Sequence, residues 1–160
     1  MFEYGSKQNL TKVCLIRLNY AVELRYGVLL DIALKVRKQE AIDLSMGHFN
    51  VIWQGDMNDM VLRSLETCES PARILNITGA DILSVLEVAL EFGKYFHVKP
   101  EFINKEANTA LLNNPGKALT LLGPPRVKPA RVIAWIAHWI NEEREILGKP
   151  THYEVRNGTY

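Results

Sequence analysis

Residues 12–22 read KVCLIRLNYAV and residues 73–78 read RILNIT. Each is a short run of β-branched and large apolar side chains, the pattern of a strand buried in the middle of a sheet. Between and after them lie stretches with helical spacing. Leu29, Ile32, Ala33 and Val36 recur at i, i+3, i+4 and i+7, which predicts a helix over Tyr26–Lys38. Ser84 stands three residues before Glu87 ahead of an apolar run, a capping box for a helix through Phe96 with Val85, Ala89, Phe92 and Phe96 inward. Strands alternating with helices indicate an α/β fold.

The remaining elements are set by turn and cap signals. Met1–Tyr4 reads as a helix tail ended by Gly5. Ala41–Ser45, Phe49–Trp53 and Glu101–Asn104 read as short strands. Asp56 or Asn58 is expected to cap a helix to about Cys68, with Met57, Met60, Val61, Ser64 and Leu65 inward, before Pro71 breaks the pattern. A small helix is expected over Asn113–Leu122, closed by Gly123. Pro129 suits the first turn of a last helix running to about Ile146.

At 160 residues the chain can bury a real core as one domain, and with 48% apolar and 23% charged residues it reads as globular. A formal charge of +1 gives no electrostatic reason for a nucleic-acid or anionic-membrane partner. Cys14 and Cys68 are the only cysteines and read as buried, reduced thiols. No charged-then-apolar leader opens the sequence and no apolar run approaches membrane-spanning length, so a cytoplasmic location is expected. The glycosylation triplets at Asn9, Asn76 and Asn157 are then chance matches.

No part of the sequence carries recognisable catalytic chemistry. Ten glycines are present, yet none form G-x-G-x-x-G or a Walker loop, whose amides would face a phosphate. The one Tyr-x-x-x-Lys, Tyr95–Lys99, straddles a helix end before Pro100 and reads as a chance spacing. His48, His97, His138 and His152 lack metal-ligand spacing. No G-x-S-x-G occurs, and Glu142, Glu143 and Glu145 read as a solvated helix end.

In order and spacing these segments resemble the C-terminal half of the NAD(P)-dependent epimerase/dehydratase family, the extended short-chain dehydrogenases. Lys12–Val22 looks like the strand after that family's catalytic tyrosine–lysine helix, and Gly27–Val36 like the helix that opens its substrate lobe. Ala41–Gly47 with Phe49–Met60 is similar to the family's strand, turn and helix entry, where Asp56 falls on a capping aspartate. Arg73–Gly79 is similar to its last parallel strand. Lys117, Ala118, Leu122 and Gly123 sit where its closing signature places them. The resemblance implies one C-terminal substrate-lobe segment over residues 1–160, with strands 12–18 and 73–78 belonging to the Rossmann-type sheet and the dinucleotide-binding region absent. NAD or NADP would belong to the full-length parent, and none is expected for this chain alone.

The resemblance implies sites as well. Asn19 and Tyr20, at the carboxyl end of a parallel strand, would contact nicotinamide or substrate; the alternative is a polar strand end bonded to a neighbouring loop. Arg25, Tyr26 and Trp53 would contact substrate, against a surface role for the first two and lobe packing for Trp53. Members that act on nucleotide-diphospho sugars clamp the diphosphate with arginines, but here one such position is Phe49 and Ala107–Leu111 has none. The Arg-x-x-Asn motif reads Arg17-Leu18-Asn19-Tyr20, with tyrosine where asparagine would align. The expected substrate is therefore a small hydroxyl or carbonyl compound, such as an unactivated sugar. A non-catalytic ligand-binding or interaction module that keeps the scaffold is the competing reading. In a fragment, removal of the parent sheet's neighbouring strands would expose the edge of Lys12–Leu18, so self-association through that edge or marginal stability is expected.

Overall fold

The computed structural model describes residues 1–155, so the Asn157 triplet lies outside the described residues. The two decisive runs pair as expected. Strand β1 (Cys14–Leu18) lies parallel to a strand at Arg73–Ile77, in register from Cys14 beside Arg73 to Leu18 beside Ile77. The chain then bends at Asn19-Tyr20, where Tyr20 has φ 38°, and resumes as β2 (Ala21–Val22). Lys12–Val22 is thus two strands with different partners, because a non-glycine residue at positive φ cannot continue the pleat.

Helix α1 (Phe2–Asn9) precedes β1 and runs through Gly5, which was expected to end it. An added Cβ at Gly5 would meet nothing within 4 Å, so this glycine answers no steric demand, and the helix closes instead at Leu10 with φ 54°. Helix α2 (Val28–Lys38) comes after β2 and buries the predicted stripe of Leu29, Ile32, Ala33 and Val36. Gly27, with φ 128°, lets the chain enter α2 hard against Val22.

Strands β3 (Ile42–Asp43), β4 (His48–Phe49) and β5 (Ile52–Trp53) come next. Phe49–Trp53 was expected to be a single strand, but Asn50-Val51 separates two. β5 pairs parallel with β2, while β4 pairs antiparallel with the later β7 (Leu83–Ser84). Helix α3 (Gln54–Ser64) ends in a 3-10 turn at Leu65–Thr67, then Arg73–Ile77 forms β6. Leu65, placed inward by the sequence pattern, is 70% exposed because that turn breaks the helical periodicity.

Helix α4 (Val85–Phe96) starts as predicted, with Ser84 Oγ accepting from the Glu87 N–H at 3.3 Å. Strand β8 (Phe102–Ile103) pairs with β3. Helix α5 (Gly116–Leu122) begins later than expected because Asn113 and Asn114 are bonded elsewhere. Helix α6 (Pro129–Asn141) stops short of Ile146, where successive glutamates meet the negative end of the helix dipole.

Two cores result. Helices α2, α4 and α6 enclose Phe92, Ile32 and Ile136 with Phe49 and Tyr153. Helices α3 and α5 cover one face of the β1–β6 pair through Met60, Leu75, Ile77, Ala118 and Leu122. Among the described residues, the far edge of β1 has no strand beside it. No described helix is long and apolar enough to cross a membrane.

Phe92 is fully buried and stacks on Phe96 with centroids 5.9 Å apart. Truncation by Phe92→Ala is expected to cost about 4 kcal/mol, read as a lower urea midpoint at unchanged slope.

Candidate functional site

The carboxyl ends of β1 and β6 point the same way, and the residues just past each strand shape the site. After β1 comes Asn19, whose backbone N–H still bonds the Ile77 carbonyl at 3.2 Å. Its side-chain amide donates to Asn50 Oδ1 at 2.9 Å and to the Asn50 carbonyl at 3.2 Å. Asn50, only 2% exposed, donates in turn to the carbonyls of Gly79 at 3.1 Å and Asn113 at 2.7 Å. The Asn113 N–H donates to Asn50 Oδ1 at 3.3 Å. One buried amide thus ties both strand ends to the loop that enters α5. After β6 comes Gly79, where an added Cβ would lie 2.2 Å from the Val51 carbonyl, so only glycine fits.

Beside this knot a pocket of about 280 Å³ is walled by Leu18, Tyr20, Ala21, Val22, Tyr26, Gly27, Val28 and Thr151. Its walls are apolar apart from the two tyrosines and the threonine, and among the described residues no lysine or arginine lines it. Thr151 is held there by Asp31 Oδ2, which accepts from its N–H at 2.7 Å and its hydroxyl at 2.6 Å. The segment continues to Tyr153, 2% exposed, with its ring centroid 6.5 Å from that of Phe49. Burial, with a smaller push from the nearby Glu154 carboxylate, raises the Tyr153 phenol well above the usual tyrosine range. The Tyr153 ring packs in the α2–α4–α6 core.

Among the sequence-predicted positions, Tyr20 and Tyr26 come together in this pocket. Asn19 turns its amide to Asn50. Arg25 pairs with Glu23 at 3.1 Å and lines a different cleft, of about 210 Å³, with Leu30, Asp31 and Lys38. Trp53 stands edge-on to Trp135, centroids 5.4 Å apart, and is half-buried against the α2–α4–α6 core. Sequence reasoning missed Asn50, Asn113 and Thr151. A polar residue between Phe49 and Val51, in an otherwise apolar run, was the one local signal for Asn50. A larger open groove of about 650 Å³ runs along α4, lined by Leu90, Lys94 and Pro100, and Asn19, Tyr20, Arg25, Tyr26 and Trp53 are not among its lining residues.

Among the described residues no glycine-rich turn joins a strand directly to a helix: β1 leads into a bend, and β6 is separated from α4 by Thr78–Ser84. No cluster of three or more metal-ligating side chains occurs among them either.

No family model and no curated protein matches the sequence. Solved structures do match. UDP-glucuronic acid 4-epimerase from Bacillus cereus, in complex with NAD, superposes with a TM-score of 0.67 at 15% identity over 88% of this chain and 48% of its own. GDP-mannoheptose C4 reductase from Campylobacter jejuni, with NADP bound, gives 0.70 at 14% identity over 88% and 53%. A UDP-galactose 4-epimerase gives 0.65 at 18% over 89% and 50%.

Asn50→Leu keeps the volume but removes the side-chain partners of the Gly79 carbonyl and of the Asn113 N–H and carbonyl, and leaves Asn19 with only the backbone carbonyl of residue 50. A loss of about 3 kcal/mol is expected in chemical denaturation. Asn19→Ala removes one donor and is expected to cost about 1 kcal/mol.

The chain spans about half the length of the solved structures it matches, and over that half it has the α/β fold of NAD- and NADP-bound epimerases and reductases.

Proposed function

We propose that this chain is the substrate-binding C-terminal portion of an NAD(P)-dependent epimerase, dehydratase or oxidoreductase, and that it is not active alone. The likeness to one half of each cofactor-bound enzyme carries the proposal, with the pocket opening where β1 ends supporting it. Ligands of α/β sheets sit at the carboxyl ends of parallel strands, which is where Tyr20 and Tyr26 stand. Their phenol groups suit the hydroxyls of a sugar-like or small carbonyl compound. NAD or NADP, held by the remainder of the enzyme, would supply hydride chemistry; the residues here would bind and orient the substrate.

The matched enzymes have UDP- and GDP-linked sugars in their names. Among the described residues no basic side chain lines the pocket, which supports an unactivated substrate here, since phosphate oxygens call for arginine or lysine. Titration of the ¹⁵N-labelled chain with free sugars is expected to shift the amides of Tyr26, Gly27 and Thr151 at millimolar concentrations. Binding of a UDP-sugar more than tenfold tighter than its free sugar would overturn the substrate assignment. No shift with any sugar would favour a non-catalytic module.

We further propose that the chain self-associates through the free edge of β1, where Leu18 is 48% exposed and unpaired backbone groups invite another strand. Light scattering is expected to give a mass that rises with concentration, and Ile16→Pro, which removes an N–H from that edge, should abolish the rise. A mass constant at that of one chain across the range would refute it.

A further inference from the structure

At the end of β1 away from the pocket, Val13 and Glu69 form an isolated antiparallel bridge, each donating its N–H to the other's carbonyl, at 3.0 and 3.4 Å. That exchange makes them a hydrogen-bonded pair of an antiparallel ladder. One residue further along each chain, Cys14 and Cys68 take the positions of a non-hydrogen-bonded pair, which in a regular ladder has Cα atoms about 4.5 Å apart with side chains close; here the bridge is isolated, and Cys14 also stands beside Arg73 of β6. A disulfide needs a Cα separation of roughly 4.4–6.8 Å.

The placement does not require a longer ladder. Cα of Cys14 and Cα of Cys68 belong to the two peptide units joined by the Glu69 N–H to Val13 carbonyl bond, so that bond keeps the two residues near each other. Both residues are extended, Cys14 as the first residue of β1 and Cys68 with φ −62° and ψ 137°. Cys14 packs against the cluster that holds Met60 of α3 and Leu75 of β6, and Cys68 Sγ lies 3.7 Å from the carbonyl of Ser64, the last residue of α3. Each is a free thiol and only half-buried, where the sequence suggested full burial, so a small oxidant can reach them.

We propose that Cys14 and Cys68 are a redox-modification site, a dithiol that closes to an intramolecular disulfide with an oxidised low-molecular-weight disulfide such as oxidised glutathione. One cysteine thiolate attacks a sulfur of the small disulfide, expels one small thiolate and leaves a mixed disulfide. The second cysteine thiolate attacks the protein sulfur of that bond and expels the other small thiolate. The two protons lost by the cysteines end on the two small thiols, so the protein is oxidised by two electrons and the small disulfide reduced by two. The new bond ties the start of β1 to the end of α3 and shortens the unfolded chain's reach across the intervening loop.

The native chain, treated with excess oxidised glutathione, is expected to lose both free thiols and two hydrogens in mass, with a Cys14–Cys68 cross-link in the non-reduced peptide map. Its Tm should rise by about 10 °C and return on adding dithiothreitol. Cys14→Ser and Cys68→Ser should each abolish the rise and retain at most one glutathione. Persistent glutathione on both cysteines, a cross-link between two chains, or thiols that stay unreacted would each overturn the proposal.

Discussion

Asn50 sets the geometry on which the site depends. Its carboxamide has two donors and one acceptor oxygen, and all are used: the donors on the carbonyls of Gly79 and Asn113, the oxygen by Asn19 and the Asn113 N–H. These four groups come from the end of β1, the turn after β6 and the loop before α5. None of the three segments could satisfy its polar groups against an apolar neighbour, and a buried unpaired carbonyl costs more than a bond gains. An aspartate at this position would lack the two donors and would face two carbonyl oxygens. A hydroxyl would reach too few partners. The amide is therefore the side chain that lets three irregular segments converge in a dry place.

That knot also sits between the two cores. Val51 and Phe49 face the α2–α4–α6 side, whereas Ile52 belongs to the cluster beneath β1 and β6. The residues around Asn50 therefore serve both. The β4–β5 break lets one strand pair with β7 and the next with β2. Asp56 adds a second tie from the same region: its Oδ2 accepts from the Val127 N–H at 2.8 Å and fixes the approach to α6. The sequence assigned Asp56 to the cap of its own helix, but Trp53 occupies that position and makes no side-chain cap bond.

Features legible in the sequence were local. The apolar stripe of α2, the Ser84 cap of α4 and the β1 and β6 runs all arise from periodicity or from a bond between near neighbours, and they lie where expected. Features that could not be read depend on partners far along the chain. Phe49–Trp53 has the composition of one strand, and only its two distant partners divide it. Asn113 and Asn114 have the look of a helix start until their bonds to Asn50 and Gly116 delay α5. The same distinction separates the candidate ligands. Tyr20 and Tyr26 flank one short strand and meet by proximity, but Arg25 points to another cleft and is paired with Glu23.

Thr151 is the clearest case of a residue that no motif could mark. It stands in the pocket because Asp31, on α2, accepts both its N–H and its hydroxyl, and because Lys35 on the next turn pairs with Glu154. Tyr153, between these two anchors, buries its ring near Phe49 and makes the attachment apolar as well as polar. The final described segment is thereby strapped along α2, the helix that begins at Gly27 on the pocket's other wall. Any shift of α2 relative to β2 would move Gly27 and Thr151 together and leave Tyr20 behind. The pocket's width is thus governed by one rigid body, α2 with its strap, set against one bend at Tyr20. On the proposed reading, a small ligand in this pocket would meet Gly27 and Thr151 as parts of one wall, since both are carried by α2.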